Sequence, residues 1–168
     1  MRRGILFIAI CMALALAGCG DDSSTTSSAG GETSAESSGP REATVKKTKP
    51  KVTVPKGAPP KQLTVKDLEE GSGPATEAGD VISVQYVGVN YKTGKEFDAS
   101  WDRGEPFTFA LGAGEVIPGW DQGLEGMKVG GRRELIIPPE LGYGSTGSPP
   151  AIPPNETLVF VVDLEAVK

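Results

Sequence analysis

The 168-residue chain contains no histidine, and its only two cysteines, Cys11 and Cys19, lie near the N-terminus. Without imidazole, nucleophilic triads of the Ser-His-Asp and Cys-His kinds are excluded, and the commonest metal ligand of proteins is missing. The two cysteines do not form a CxxC pair, so neither a zinc site nor a disulfide framework is expected. We therefore predict a protein that works with no metal and no cofactor.

The chain also lacks a long apolar run. Its longest, Ile5 to Leu16, has twelve residues, whereas a membrane-spanning helix needs about 20. Arg2 and Arg3 precede this run, and small residues follow it. A positive start, a short apolar stretch and small residues are typical of a secretory signal peptide. We therefore predict that residues 1–18 are an export signal.

The sequence Leu16-Ala17-Gly18-Cys19 resembles the lipobox of bacterial lipoproteins. The resemblance implies cleavage before Cys19, which then carries the lipid, palmitate included, and anchors the protein on the extracytoplasmic side of a membrane. Two or more acyl chains hold a protein stably, where one is marginal. Ordinary secretion with cleavage nearby is the alternative.

Residues 19–61 are predicted to be a tether in two parts. The stretch 20–39 has no bulky apolar residue and cannot offset its ordering entropy by burial, so disorder is expected. The stretch 40–61 is rich in proline and lysine, with seven basic residues and one acidic residue, which favours an extended chain. It could lie on an anionic membrane, or it could be a solvated spacer.

The pattern becomes globular at residue 62. Apolar and polar residues alternate over Ile82–Tyr86 and Leu158–Leu164, the period of a half-buried strand. Further strands are predicted at 134–137, 107–111 and 62–68. One short helix is predicted over 120–127, because Trp120, Leu124 and Met127 share a face. The domain 62–168 is therefore expected to be α+β, an antiparallel sheet packed on one helix.

Nucleic acid is not expected as a partner. Residues 62–168 carry seventeen acidic and eight basic residues, and nucleic-acid binding needs a basic surface. No GxGxxG motif follows a predicted strand, so nucleotide binding is unsupported. Nothing in the sequence suggests assembly, and a monomer is expected.

Six stretches together resemble the FKBP-type peptidyl-prolyl cis/trans isomerases over essentially all of 62–168. They are Val84–Gly88, Gly94–Ser100, Pro106–Phe109, Leu111–Leu124, Pro139–Gly144 and Ile152–Phe160. The resemblance implies a half-barrel of five to six antiparallel strands wrapped around the helix. It also implies that proline-containing segments of exported proteins, and macrolide ligands, bind in the hollow between sheet and helix.

The resemblance also implies the site residues. Trp120 matches the pocket floor, and the Ile117 backbone N–H matches the donor to the ligand carbonyl. Asp98 and Tyr143 match the polar groups, and Arg103 matches the partner of Asp98. The apolar walls correspond to Tyr86, Phe97, Phe107, Val116, Ile117 and Phe160, and Ile152 belongs to the flap. Tyr86, Asp98, Ile117 and Tyr143 are expected to act in catalysis and the others in substrate binding.

The flap after Tyr143 departs from the family at two positions. Ala151 replaces a larger aliphatic residue, and Ser148 stands where a histidine is frequent. These departures concern substrate preference and macrolide affinity, not the pocket floor.

The predicted reaction suits a chain without histidine. Rotation about an X–Pro bond crosses a barrier of about 18–20 kcal/mol, and no covalent bond is made or broken. Two alternatives to catalysis stay open. One is a module of the same fold that only binds peptides, and the other is a chaperone acting outside the pocket. The second usually rests on an inserted domain, and none lies between Asp98 and Tyr143.

Overall fold

The computed structural model describes residues 47–168. The predicted signal peptide, Cys19 and most of the predicted tether lie outside the described residues. Within them, no helix is both long and apolar enough to cross a membrane.

Six strands form one sheet in which every pairing is antiparallel. They are β1 (Thr64–Glu69), β2 (Val81–Asn90), β3 (Glu96–Ala99), β4 (Phe107–Ala110), β5 (Arg132–Ile137) and β6 (Leu158–Val167). The sheet order is β1-β5-β6-β2-β3, and β4 also pairs with β2. The start of β2 pairs with β4 and its later part with β3. The prediction of an α+β fold with a five- to six-stranded antiparallel sheet is confirmed.

The one α-helix within residues 47–168, α1, spans Pro118–Gly123 and is shorter than the predicted 120–127. Leu124 already caps its C-terminus, and Gly126 has a φ of 71°. The helix ends there because Thr76 forms hydrogen bonds with the backbone of the next turn. Its hydroxyl donates to the Leu124 carbonyl at 2.6 Å and accepts from the Met127 N–H at 3.1 Å. The predicted end of the helix is therefore wrong, because a contact from a distant part of the chain replaces the next helical turn.

The helix packs on the inner face of the sheet. Trp120, Leu124 and Met127 are all buried, as their spacing predicts. They meet alternate residues of the two long strands, because successive side chains of a strand point to opposite faces. These strand residues are Ile82, Val84 and Tyr86 of β2 and Leu158, Phe160, Val162 and Leu164 of β6.

The outer face of the sheet carries a second apolar cluster. Val87, Val89, Ile136 and Val159 are buried there, although no helix of the described part of the chain covers them. Val52 and Val54, which precede the first strand, pack against this cluster, so part of the interval predicted as a tether lies on the sheet.

Candidate active site

A pocket of about 480 Å³ opens between α1 and the inner face of the sheet. Strands β2, β3, β4 and β6 supply most of its walls, and the loop before α1 closes one side. The lining residues are Tyr86, Phe97, Asp98, Phe107, Glu115, Val116, Ile117, Pro118, Trp120, Tyr143 and Phe160. Nine of the eleven predicted site residues of the domain are therefore brought together.

Trp120 forms the floor of the pocket. It is 4% exposed and meets Tyr86 and Phe160 edge to face, with ring centroids 5.1 and 5.2 Å away. Edge-to-face contacts at these distances hold aromatic rings in defined orientations. Within residues 47–168, the buried indole N–H of Trp120 has no hydrogen-bond partner, so the floor presents an apolar ring with one unused donor.

The wall beside Phe97 depends on a β-bulge and on Gly88. The register of β3 against β2 shifts between Asp98 and Glu96, leaving Phe97 as the extra residue, so that both Phe97 and Asp98 line the pocket. A Cβ atom on Gly88 would lie 2.7 Å from ring atoms of both Phe97 and Phe160. Only glycine therefore allows these two rings to meet edge to face, with centroids 5.5 Å apart.

The opposite wall comes from β4 and the loop that follows it. Phe107 is 38% exposed and stacks on Phe109. The loop is held by Asp121 of α1, which accepts hydrogen bonds from the backbone of Gly112 at 2.8 Å and Gly114 at 3.2 Å. These bonds fix the start of the segment that brings Val116 into the pocket.

Ile117 ends this loop as the N-cap of α1. Its N–H donates to no acceptor within the described residues. It is therefore available to a ligand carbonyl. Glu115 and Pro118 line the pocket as well, although neither was predicted to do so. Their position on either side of Val116-Ile117 was the available signal.

A polar cluster stands at the rim. The hydroxyl of Tyr86 donates to Asp98. Arg103 donates to the same carboxylate at 2.6 Å and to the Tyr86 hydroxyl oxygen at 2.9 Å. The guanidinium carbon also lies 5.5 Å from the centroid of the Tyr86 ring, a cation–π distance. Arg103 does not line the pocket, but it holds two residues that do.

The 3-10 turn Ser100–Asp102 connects this cluster to the core. The Ser100 hydroxyl accepts a hydrogen bond from the Tyr86 backbone N–H at 2.8 Å and donates to Gln85. Ser100 is fully buried. These bonds tie the turn to β2 beside Tyr86. Ser100 is therefore held in place, and Asp98 and Arg103 lie before and after it in the chain.

The two tyrosines of the pocket are held in their neutral form. Burial, followed by the hydrogen bond to Asp98, raises the pKa of Tyr86 to about 12. Burial, followed by the charge of Asp98, raises the pKa of Tyr143. The hydrogen bonds to Tyr86 and Asp98 also raise the pKa of Arg103. Near neutral pH, the rim therefore combines two protonated phenols with a guanidinium.

The flap differs from the prediction at one residue. Tyr143 lines the pocket and is 40% exposed. Ile152 does not line it: this side chain is 4% exposed and belongs to the inner core. Its backbone exchanges two hydrogen bonds of 2.9 Å with Ser148. This bridge closes the flap on itself and turns Ile152 inward.

Residues 47–168 contain no group of three or more acidic or cysteine side chains that could hold a metal ion. The pocket instead offers an aromatic floor and walls for an apolar ring, with hydrogen-bonding groups at one edge. Such a site can bind, orient and desolvate a ligand.

The sequence matches the family model described as FKBP-type peptidyl-prolyl cis-trans isomerase over residues 73–165. It is 61% identical over 120 residues to an FK506-binding protein of Streptomyces anulatus, covering 71% of this chain and 97% of that one.

The fold is similar to the crystal structure of AtFKBP13, with a TM-score of 0.60 and 40% identity over 66% of this chain and 96% of that chain. It is also similar to the crystal structure of FkpA from Escherichia coli, with a TM-score of 0.58 and 49% identity over 63% and 48% of the two chains.

Proposed function

Because the chain belongs to the family of FKBP-type peptidyl-prolyl cis-trans isomerases, we propose that it catalyses rotation about X–Pro bonds in exported proteins and so assists their folding. The observation that carries this proposal is the enclosure of one apolar pocket by Trp120, Tyr86, Phe97 and Phe160, with Asp98 and Tyr143 at its edge. The proline ring of the substrate would lie on Trp120.

The aromatic pocket supplies desolvation. A planar amide is polar through resonance, and a twisted amide has lost that resonance. Transfer of the X–Pro amide from water into an apolar pocket therefore removes solvation that favours the planar ground state over the twisted transition state. This difference is what accelerates the rotation, because only interactions that favour the transition state raise kcat.

The polar rim supplies orientation. The free Ile117 N–H and the Tyr143 hydroxyl are donors for substrate carbonyls, and Asp98 is an acceptor held by Tyr86 and Arg103. Fixed dipoles need no reorganisation during the reaction. A 10⁴- to 10⁵-fold acceleration would require about 5.5–7 kcal/mol of selective stabilisation, to which the pocket and the rim both contribute.

An isomerase assay on the full chain tests this function. Proline-limited refolding of a substrate protein should accelerate with wild type, and Asp98→Asn should reduce kcat/KM by roughly tenfold, the loss expected for one charge-assisted interaction. Glu140→Gln is a matched control, because Glu140 lies just after β5 and does not line the pocket. Peptide binding without acceleration would identify a binding module instead.

The same pocket is proposed to take FK506-type macrolides, since the Streptomyces relative is named for FK506 binding. Ala151 and Ser148 belong to the flap that follows Tyr143, which lines the pocket, so affinity should depend on them. Competition of FK506 with the proline substrate would support one shared site, and inhibition that is not competitive would contradict it.

For location, we propose attachment to the extracytoplasmic side of a membrane through a lipid on Cys19. The support is the Leu16–Cys19 motif behind an apolar run. Cys19→Ala should move the protein from the membrane to the soluble fraction, whereas the matched variant Cys11→Ala should leave it there. Equal membrane retention of both variants would contradict the lipid anchor and leave ordinary secretion as the alternative.

A further inference from the structure

Residues 47–54, called here the strap, lie across the outer face of the sheet. Val52 and Val54 pack on the outer apolar cluster, and Trp101 of the 3-10 turn packs there as well. The Thr48 carbonyl accepts a hydrogen bond of 2.9 Å from Arg132 of β5. The strap therefore contacts both the middle of the sheet and the turn that follows β3, on the side opposite the pocket.

The first basic residue of the strap is paired with acids of the domain. Lys47 Nζ lies 2.8 Å from Glu69 and 3.5 Å from Asp163. The side chain of Lys47 is only 10% exposed, and that of Asp163 only 3%. This contact fixes the N-terminal end of the strap against β1 and β6.

Lys49 makes a different contact, between two acids that are six positions apart. Its Nζ lies 2.8 Å from Glu96 and 2.8 and 3.0 Å from the two carboxylate oxygens of Asp102. Glu96 opens β3, and Asp102 ends the 3-10 turn. One ammonium group therefore bridges the two ends of the segment 96–102, through carboxylate side chains that are 39% and 61% exposed.

That segment carries the polar side of the pocket. Phe97 and Asp98 follow Glu96 directly, and Arg103 follows Asp102 directly. Asp98 and Arg103 form their 2.6 Å ion pair although both side chains are more than 40% exposed. Solvent weakens such a pair, so its geometry depends on how firmly the backbone on either side is held.

The segment is consequently held from two sides. Ser100 ties its middle to β2 from within the sheet, and Lys49 ties its ends together from outside. The charges that face Lys49 are these two carboxylates, and the hydrogen bonds to Asp102 and Glu96 raise its pKa. Lys49 itself does not line the pocket, so any effect on the reaction must pass through the segment.

We propose that Lys49 is a positioning residue of the isomerase site, which fixes Asp98 and Arg103 by holding Glu96 and Asp102 together. The expected effect of Lys49 on activity rests on the proposed function, whereas its expected effect on the position of segment 96–102 does not. It makes the strap a part of the catalytic domain rather than a passive end of the tether. An error of about 1 Å in the position of a catalytic group can cost as much as 10²-fold in rate.

The matched control is Lys51→Ala. Lys51 lies two residues further along the strap, is exposed, and has no ion pair within the described residues. The substitution therefore removes the same charge without disturbing Glu96 or Asp102. Lys49→Arg serves as the conservative variant, because a guanidinium can bridge the same two carboxylates.

The first measurement, on the full chain, does not depend on activity. The backbone N–H of Arg103 donates to the Ser100 carbonyl at 2.9 Å, and the backbone N–H of Gly104 donates to the Trp101 carbonyl at 3.3 Å. Amide hydrogen exchange at these two positions, measured by NMR, should accelerate several-fold in Lys49→Ala and stay unchanged in Lys51→Ala. Unchanged exchange in Lys49→Ala would overturn the inference whether or not the protein is an isomerase.

The second measurement is a double-mutant cycle on kcat/KM. Lys49→Ala should lower kcat/KM roughly three- to tenfold in the wild-type background, as expected for coupled groups, and Lys49→Arg should restore most of it. In a background that carries both Asp98→Ala and Arg103→Ala, the same substitution should cost less than about twofold, because both groups that Lys49 positions are gone. An equal loss in both backgrounds, or none in wild type, would overturn the positioning role.

An inactive wild-type protein would refute the proposed function alone. The exchange measurement would still decide whether Lys49 holds the segment, so the two failures are distinguishable.

Discussion

Arg103 donates a 2.9 Å hydrogen bond to the hydroxyl of Tyr86, whose ring also lies beneath its guanidinium. Since the Tyr86 hydroxyl has its own hydrogen committed to Asp98, the phenol both accepts and donates in the same cluster. An ionised Tyr86 could no longer donate to that carboxylate. The protonation of this one phenol is therefore linked to folding.

Stability should fall at high pH through Tyr86. Its pKa is raised to about 12 in the folded protein, against about 10 for a free tyrosine. Between about pH 10 and 12, the unfolded chain releases this proton while the folded protein keeps it, so the free energy of unfolding decreases as pH rises. The contribution of the protonated Tyr86 to the free energy of unfolding is fully present below about pH 10.

Urea unfolding at pH 9, 10 and 11 checks this prediction. Tyr86→Phe should show a weaker loss of stability with pH than wild type. Tyr91→Phe is the control, because Tyr91 belongs to the outer cluster, away from Asp98. Identical slopes for wild type and Tyr86→Phe would contradict the linkage.

The catalysed rate should be nearly constant from roughly pH 6 to 8.5. Histidine is absent from the chain, and the raised pKa values of Tyr86 and Tyr143 keep both phenols protonated over this range. The measurement is kcat/KM on a peptide without ionisable side chains. A bell-shaped profile centred near neutrality would require a general acid and base and would refute rotation without proton transfer.

Trp120→Ala should damage stability and activity together. It removes a ring that is 4% exposed, a change that typically costs about 3–5 kcal/mol. Trp120→Phe should cost less, because it keeps an aromatic floor and removes an indole N–H without a partner in the described chain. Urea unfolding and kcat/KM separate the two variants, and an undiminished rate in Trp120→Ala would show that the floor does not contact substrate.

Gly88→Ala should lower kcat/KM by displacing the aromatic wall. The new methyl group would lie 2.7 Å from both Phe97 and Phe160, and overpacking of this kind costs about 1–3 kcal/mol. Gly73→Ala is a control for stability alone, since its methyl group would lie 2.7 Å from Val129, which does not line the pocket. If Gly88→Ala and Gly73→Ala lost the same stability and the same activity, the aromatic wall formed by Phe97 and Phe160 would have no specific role in catalysis.

The strap should contribute to stability. Replacing Val52 and Val54 together by Ala removes part of the cover of the outer cluster, and two partly buried valines should cost about 1–2 kcal/mol in the free energy of unfolding. Val65→Ala on β1, where the side chain is 43% exposed, should cost less than about 0.5 kcal/mol. A full-chain double variant as stable as Val65→Ala would show that the strap only rests on the sheet.

The sequence was sufficient to predict the strands whose successive side chains alternate between the core and solvent, or between the inner and outer apolar clusters. The patterns at Ile82–Tyr86 and Leu158–Leu164 predicted strands inside β2 and β6, because burial of one face forces a period of two. The resemblance to the isomerase family then indicated nine residues that the structure brings into one pocket.

Tertiary structure alone decided the features that depend on distant contacts. The helix ends at Gly123 because Thr76 binds the next turn, and Ile152 turns inward because Ser148 pairs with its backbone. The strap shows the same limit. Val52 and Val54 stand in a stretch rich in lysine and proline, and the sequence therefore predicted a tether there. The local sequence does not show that the outer face of the sheet carries an apolar cluster on which these valines can pack. Composition and periodicity report the preferences of neighbouring residues, whereas a cap, a flap and a docked strap obtain their free energy from partners that only the folded chain brings near.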